Sequence, residues 1–202
     1  MSAVSKELTA ARERIVAAYD PHSLAEAGHR LASLLSAHLA QAQGMGGPVL
    51  PWTEPVEAVH EASMLLQHAT RGQRMGDLPE RFGSLVQTML SRGLNLHDPR
   101  YIGHQVPAPV PLAGLFDAVG SVTNQVMAVY EMGPWATAVE QALVGELGAI
   151  IGWEPGSFAG LVTHGGSLAN LTALLTARNV AIESAWESGL ALDGPQPVLV
   201  AH

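Results

Sequence analysis

The residues best suited to chemistry sit together in the stretch Gly160-Leu161-Val162-Thr163-His164-Gly165-Gly166-Ser167-Leu168-Ala169-Asn170-Leu171-Thr172. It reads as strand, glycine turn and helix. Two glycines allow a sharp turn and close approach of a ligand to the backbone. Ser167 is positioned to cap a helix whose apolar side carries Leu168, Leu171, Leu174 and Leu175. Amides left over at the start of that helix, together with the positive end of its dipole, converge on one spot that suits a phosphate. The common nucleotide turns do not fit, because there is no G-x-x-x-x-G-K-[ST] and G-G-S lacks the G-x-G-x-x-G spacing. His164 either faces the bound molecule or simply ends the strand. Gly and Ser also serve plain capping, so the turn alone does not choose between a ligand site and a helix start.

Composition narrows the chemistry. The 202 residues contain no cysteine, which excludes disulfides, zinc-thiolate sites and thiol nucleophiles. Nine histidines raise a metal reading, yet no H-E-x-x-H is present, and pairs such as His60 and His68 read as surface or packing residues. A formal net charge of -8 and the absence of any Lys/Arg run argue against a nucleic-acid partner. No apolar run reaches the roughly 18 residues of a membrane span, and the polar N-terminus is no signal peptide. The expectation is a soluble, cytoplasmic protein with no membrane partner and enough apolar residues, 48%, for a sizeable core.

The elements that position the turn follow from periodicity. Leu8, Ala11, Ile15 and Ala18 mark a helix over 5–18, and Leu24, Leu31, Leu34, Leu35 and Leu39 a second one from Ser23. Residues 43–55, rich in Gly and Pro, read as a loop in which Trp52 docks on something. Helices are expected over 56–70 and 79–92, and this row of helices has little core of its own. Pro107, Pro109 and Pro111 fix an extended segment. Long helices then run from Leu112 past Val122 and from Thr137 to Ile151, where Gly152 stops the second. Val198-Leu199-Val200 reads as a buried strand.

Three blocks in this order resemble the group II pyridoxal-phosphate-dependent amino-acid decarboxylases, which include glutamate, aromatic-amino-acid and diaminobutyrate decarboxylases. His97-Asp98-Pro99-Arg100-Tyr101 is similar to the family's H-x-P-[RK]-[YF] block. Tyr130-Glu131-Met132-Gly133-Pro134, with Glu140 six residues on, is similar to its Y-E-x-x-P…E block. Thr163-His164-Gly165-Gly166-Ser167 is similar to its T-x-G-G-[SA] phosphate turn. The likeness runs from about Leu78 onward.

The resemblance implies an α/β protein, the N-terminal part of a fold-type-I transferase fold. A helical segment over 1–96 would wrap a homodimer partner, and 97–202 would begin the large mixed-sheet domain. It implies pyridoxal 5'-phosphate as cofactor, with Gly165, Gly166, Ser167 and His164 around its phosphate and His104 and Gln105 lining the pocket of a small L-amino acid. Residues 126–131 would lie at the dimer interface, and Glu131 is expected to be a buried, paired carboxylate that orders its loop. The chemistry implied is decarboxylation to an amine, with an aldehyde-forming relative as an alternative.

One departure matters. The family holds its cofactor on a lysine, protonates the ring through an aspartate and stacks a histidine on it, and none of these is assignable here. The sole lysine, Lys6, lies in the first helix, outside every matching block. No catalytic residue is assigned. The chain is therefore expected to be an N-terminal piece completed by the rest of its polypeptide, or else a non-catalytic dimerising subunit.

Overall fold

The computed structural model describes residues 3–70, 78–103, 105–190, 197–198 and 200. The chain divides into two compact units, 1–110 and 111–202.

The first unit holds α1 (Ala3–Ala18), α2 (Pro21–Gln43), α3 (Pro55–Thr70) and α4 (Leu78–Arg92). α2 starts two residues before Ser23, because Asp20 accepts a hydrogen bond from the His22 N–H at 3.0 Å and Pro21 presets the first helical φ. α2 and α4 pack on each other. Gly83 faces α2 at this contact, where an added Cβ would lie in ordinary van der Waals contact, 3.6 Å from Arg30 Cδ and 4.0 Å from Leu34 Cδ1. Trp52, expected to dock, is exposed, its indole N–H reaching Glu54 Oε1 at 3.4 Å.

The second unit holds α5 (Ala113–Thr123), a single 3-10 turn (Tyr130–Met132), α6 (Pro134–Ile151), α7 (Gly166–Ala181) and the short α8 (Ala185–Ser188). α5 stops where Asn124 turns left-handed, φ 47° and ψ 55°. α6 begins three residues before Thr137, with Pro134 in its first turn. It ends in a Schellman pattern: Gly152 has φ 86°, its N–H meets Ala149 O, and the Trp153 N–H meets Gly148 O, both at 3.0 Å.

Two expectations change. Residues 160–162 and the described part of 198–200 form no strand, and no strand occurs among the described residues. A strand is a ladder of hydrogen bonds between two extended segments, and neither stretch has a second edge to pair with among those residues. The expected mixed sheet is thus not seen among the described residues. Burial is also scant, with Ala42, Pro79 and Ala185 the buried apolar side chains and Asp98 the buried charged one among the described residues.

Candidate functional site

The glycine turn is held by an unexpected device on α6. Three of its residues at four-residue spacing, Glu140, Val144 and Gly148, meet Val162, Gly160 and Phe158 in turn. Glu140 Oε1 accepts a hydrogen bond from the Val162 N–H at 2.9 Å. A Cβ added to Gly160 would lie 2.9 Å from Val144 Cγ1, and one added to Gly148 would overlap the Phe158 ring. The Phe158 ring also packs on Trp153, with centroids 5.4 Å apart and planes at 55°.

The spacing explains the shape. Four helical residues advance about 6 Å, and two residues cover that distance only when extended, at about 3.3 Å each. A helix stripe thus templates residues 158–162 with every second residue turned toward it. The apolar stripe legible in the sequence, Val139, Leu143, Leu147 and Ile150, is left at least 47% exposed, because the face in use lies one residue further round the helix.

Beyond Val162 the chain turns. The Gly165 N–H bonds Thr163 O at 3.0 Å, and the Thr163 hydroxyl donates to Gly165 O at 3.2 Å. Gly165 has φ 80° and ψ 167°, a region essentially reserved for glycine. α7 opens with the Ala169 N–H on Gly165 O at 3.3 Å. The amides of Gly166, Ser167 and Leu168 therefore have no carbonyl one turn back to bond, and none of them is bonded among the described residues. Nothing within 4 Å would meet a Cβ added to Gly165 or Gly166, so the two glycine α-carbons are uncrowded.

Ser167 does not cap the helix as the sequence suggests. It lies inside α7, the capping position falls to Gly165, and no side-chain cap bond forms. Its hydroxyl is thereby left available. His164 is exposed beside the turn. These four residues come together as one corner of the second unit. Gln105 is exposed and belongs to the first unit, and His104 lies outside the described residues.

The Tyr130–Pro134 block closes on itself. The Gly133 N–H bonds Tyr130 O at 3.2 Å, and Gly133 O accepts the Thr137 N–H at 2.9 Å and its hydroxyl at 2.8 Å. Glu131, expected to be buried and paired, is exposed: the backbone orders this loop, and the carboxylate stays in solvent.

The His97–Tyr101 block is a clamp. Asp98, 4% exposed, accepts three bonds from Arg100: its backbone N–H at 2.8 Å, Nε at 2.9 Å and Nη2 at 2.7 Å. Arg100 Nη2 also reaches Gly47 O at 2.6 Å and Met45 O at 3.2 Å. Asn95 completes the seam, its N–H on Val49 O at 2.8 Å and its Nδ2 on Pro48 O at 2.7 Å. The Arg100 hydrogen bonds hold the Asp98 carboxyl below the usual carboxylate range, against the opposing effect of burial. One bidentate arginine thus ties the loop after α2 to the segment that leads into Gln105.

Sequence reasoning missed this clamp and the α6 stripe. For the stripe, a signal existed in the four-residue spacing of Glu140, Val144 and Gly148 against the two-residue spacing of Phe158, Gly160 and Val162.

No family model matches the chain. It is 26% identical over 103 residues to an L-2,4-diaminobutyrate decarboxylase of Acinetobacter baumannii, which covers 51% of this chain. It is 27% identical over 95 residues to an L-aspartate decarboxylase of Metarhizium robertsii, which covers 47%. The matched stretches span 20% and 19% of those relatives' own lengths. Over about half its length, then, the chain is distantly similar to amino-acid decarboxylases.

Proposed function

We propose that this chain is the N-terminal part of a pyridoxal-phosphate-dependent decarboxylase that releases carbon dioxide from an L-amino acid and leaves the amine. The observation that carries the reading is the cluster of unbonded amides at Gly166, Ser167 and Leu168, which follows a Gly165 held in a conformation reserved for glycine. A phosphate group fits such a corner, and the free Ser167 hydroxyl adds a donor. The similarity to two amino-acid decarboxylases supports the same reading.

When bound, the cofactor supplies an electron sink for the pair left behind as carbon dioxide departs. In this reading the chain's own contribution is binding and orientation. The Gly166 and Ser167 amides grip the phosphate, His164 flanks it, and His104 and Gln105 line the substrate pocket. The exposed apolar faces of α1 (Leu8, Ile15), α5 (Leu115, Phe116, Val119, Val122) and α6 are suited to burial in a homodimer. The lysine that carries the cofactor is not in this chain, so the piece alone is inactive.

Titration with pyridoxal phosphate, followed by tryptophan fluorescence, tests the reading. Binding is expected to be competed by inorganic phosphate, weakened about 3- to 10-fold by Ser167→Ala as one hydroxyl contact is lost, and free of any covalent lysine absorption band. A band present in the wild type and lost in Lys6→Arg would refute the assignment.

A further inference from the structure

We infer that Glu140 is a positioning residue for the anion-binding turn, acting through the backbone of Val162 rather than on any ligand. Three observations converge on this role. Glu140 is a partly exposed residue whose carboxylate accepts the Val162 N–H at 2.9 Å. Val162 immediately precedes Thr163, whose carbonyl and hydroxyl make the two bonds that close the turn onto Gly165. Glu140 is also the last of the three α6 residues that template 158–162, and its two companions act by steric contact alone. Val144 and Gly148 set how far the segment stands from the helix. A hydrogen bond has direction, so Glu140 fixes the register and roll of the segment where it enters the turn.

The consequence is geometric. The amides of Gly166, Ser167 and Leu168 point where the turn aims them, and the turn starts one residue past the tether. Without it, residues 158–162 keep their apolar contacts but gain freedom to slide along the helix. The converging amides then spread over several orientations, and a ligand must pay the ordering cost on binding. The ligand half of this inference rests on the functional reading above; the tether itself does not.

The test uses the full chain and two readouts, amide hydrogen exchange at Val162 and affinity for pyridoxal phosphate with inorganic phosphate as a second probe. Glu140→Leu removes the acceptor at similar length, Glu140→Gln keeps an oxygen in place, and Val162→Pro deletes the donor while leaving the carboxylate. Glu140→Leu is expected to speed exchange at Val162 and to weaken both ligands, each about tenfold, the factor that one hydrogen bond of ordinary net strength supplies. Glu140→Gln stays within about twofold of wild type, since a neutral acceptor forms the same bond somewhat less strongly. Val162→Pro reproduces the loss of affinity and guards against a folding defect peculiar to the leucine variant. The inference is overturned if glutamine behaves like leucine, which would assign the effect to charge, or if exchange at Val162 is unchanged in Glu140→Leu. A wild-type chain that binds neither ligand sinks the functional reading, while a tenfold rise in exchange in the leucine variant still supports the tether.

Discussion

Two glycines three residues apart in α6 give opposite expectations for the same substitution. Gly145 is exposed and an added Cβ would meet nothing within 4 Å, whereas Gly148 is buried under the Phe158 ring. Replacing a helix-interior glycine by alanine stabilises by about 1 kcal/mol through backbone entropy. Gly145→Ala should therefore raise stability by about that amount. At Gly148 the same gain is opposed by overpacking, about 1–3 kcal/mol. If the ring swings away from Trp153, about 0.5–1.5 kcal/mol of aromatic pairing goes with it. With the pairing lost, the net for Gly148→Ala is a loss of about 0.5–3.5 kcal/mol. Urea unfolding followed by far-UV circular dichroism reads the difference as midpoints moving in opposite directions at unchanged slope. Fluorescence of Trp153 adds a local signal. If Gly148→Ala gains as much as Gly145→Ala, Phe158 does not rest on the helix, and the template account of residues 158–162 is wrong.

Gly165→Ala should cost about 1–3 kcal/mol because φ 80° with ψ 167° is closed to a side chain, whereas Gly166→Ala, inside the helix and facing open space, should be tolerated; thermal melts of the two variants decide this. The Asp98–Arg100 clamp should confer acid sensitivity on the first unit. Arg100 lowers the Asp98 carboxyl in the folded state, so the stabilisation is complete above the ordinary aspartate range and is lost as pH falls through the lowered folded-state value. Unfolding midpoints measured from about pH 5 down to about pH 2 should fall in wild type and flatten in Asp98→Asn; an unchanged acid limb in the variant would remove the clamp from the account.

Helices were the legible part of this fold. Periodicity and caps locate α2 and α6 to within two or three residues, and Gly152 ends α6 as its sequence context suggests. The glycine turn was legible as a turn, but not its capping, because Gly165 adopts a conformation that moves the helix start ahead of Ser167. The strand reading of 160–162 drew on apolar composition, yet Leu161 and Val162 stay more than half exposed and the stretch meets α6 through Gly160 and the Val162 amide. The stripe at 140, 144 and 148 escaped notice because apolar periodicity points to Val139, Leu143 and Leu147, which stay largely exposed. Nor could the Asp98–Arg100 clamp be anticipated, since its partners are carbonyls some fifty residues earlier and a carbonyl carries no residue-type signature.

The pairing of helix stripe and extended segment works like a vernier. Each helical step of four residues advances about 6.0 Å and each extended step of two about 6.6 Å, so the two scales drift apart by roughly 0.6 Å per step. Over the two steps from Phe158 to Val162 the offset of about 1.2 Å is absorbed by a small tilt and by the reach of a glutamate side chain. A third step would bring Ala136 opposite His164 with the scales nearly 2 Å out of phase, beyond the tolerance of a hydrogen bond. The chain leaves the helix at that point, so the place where it bends toward Gly165 is set as much by two incommensurate repeats as by the glycines themselves.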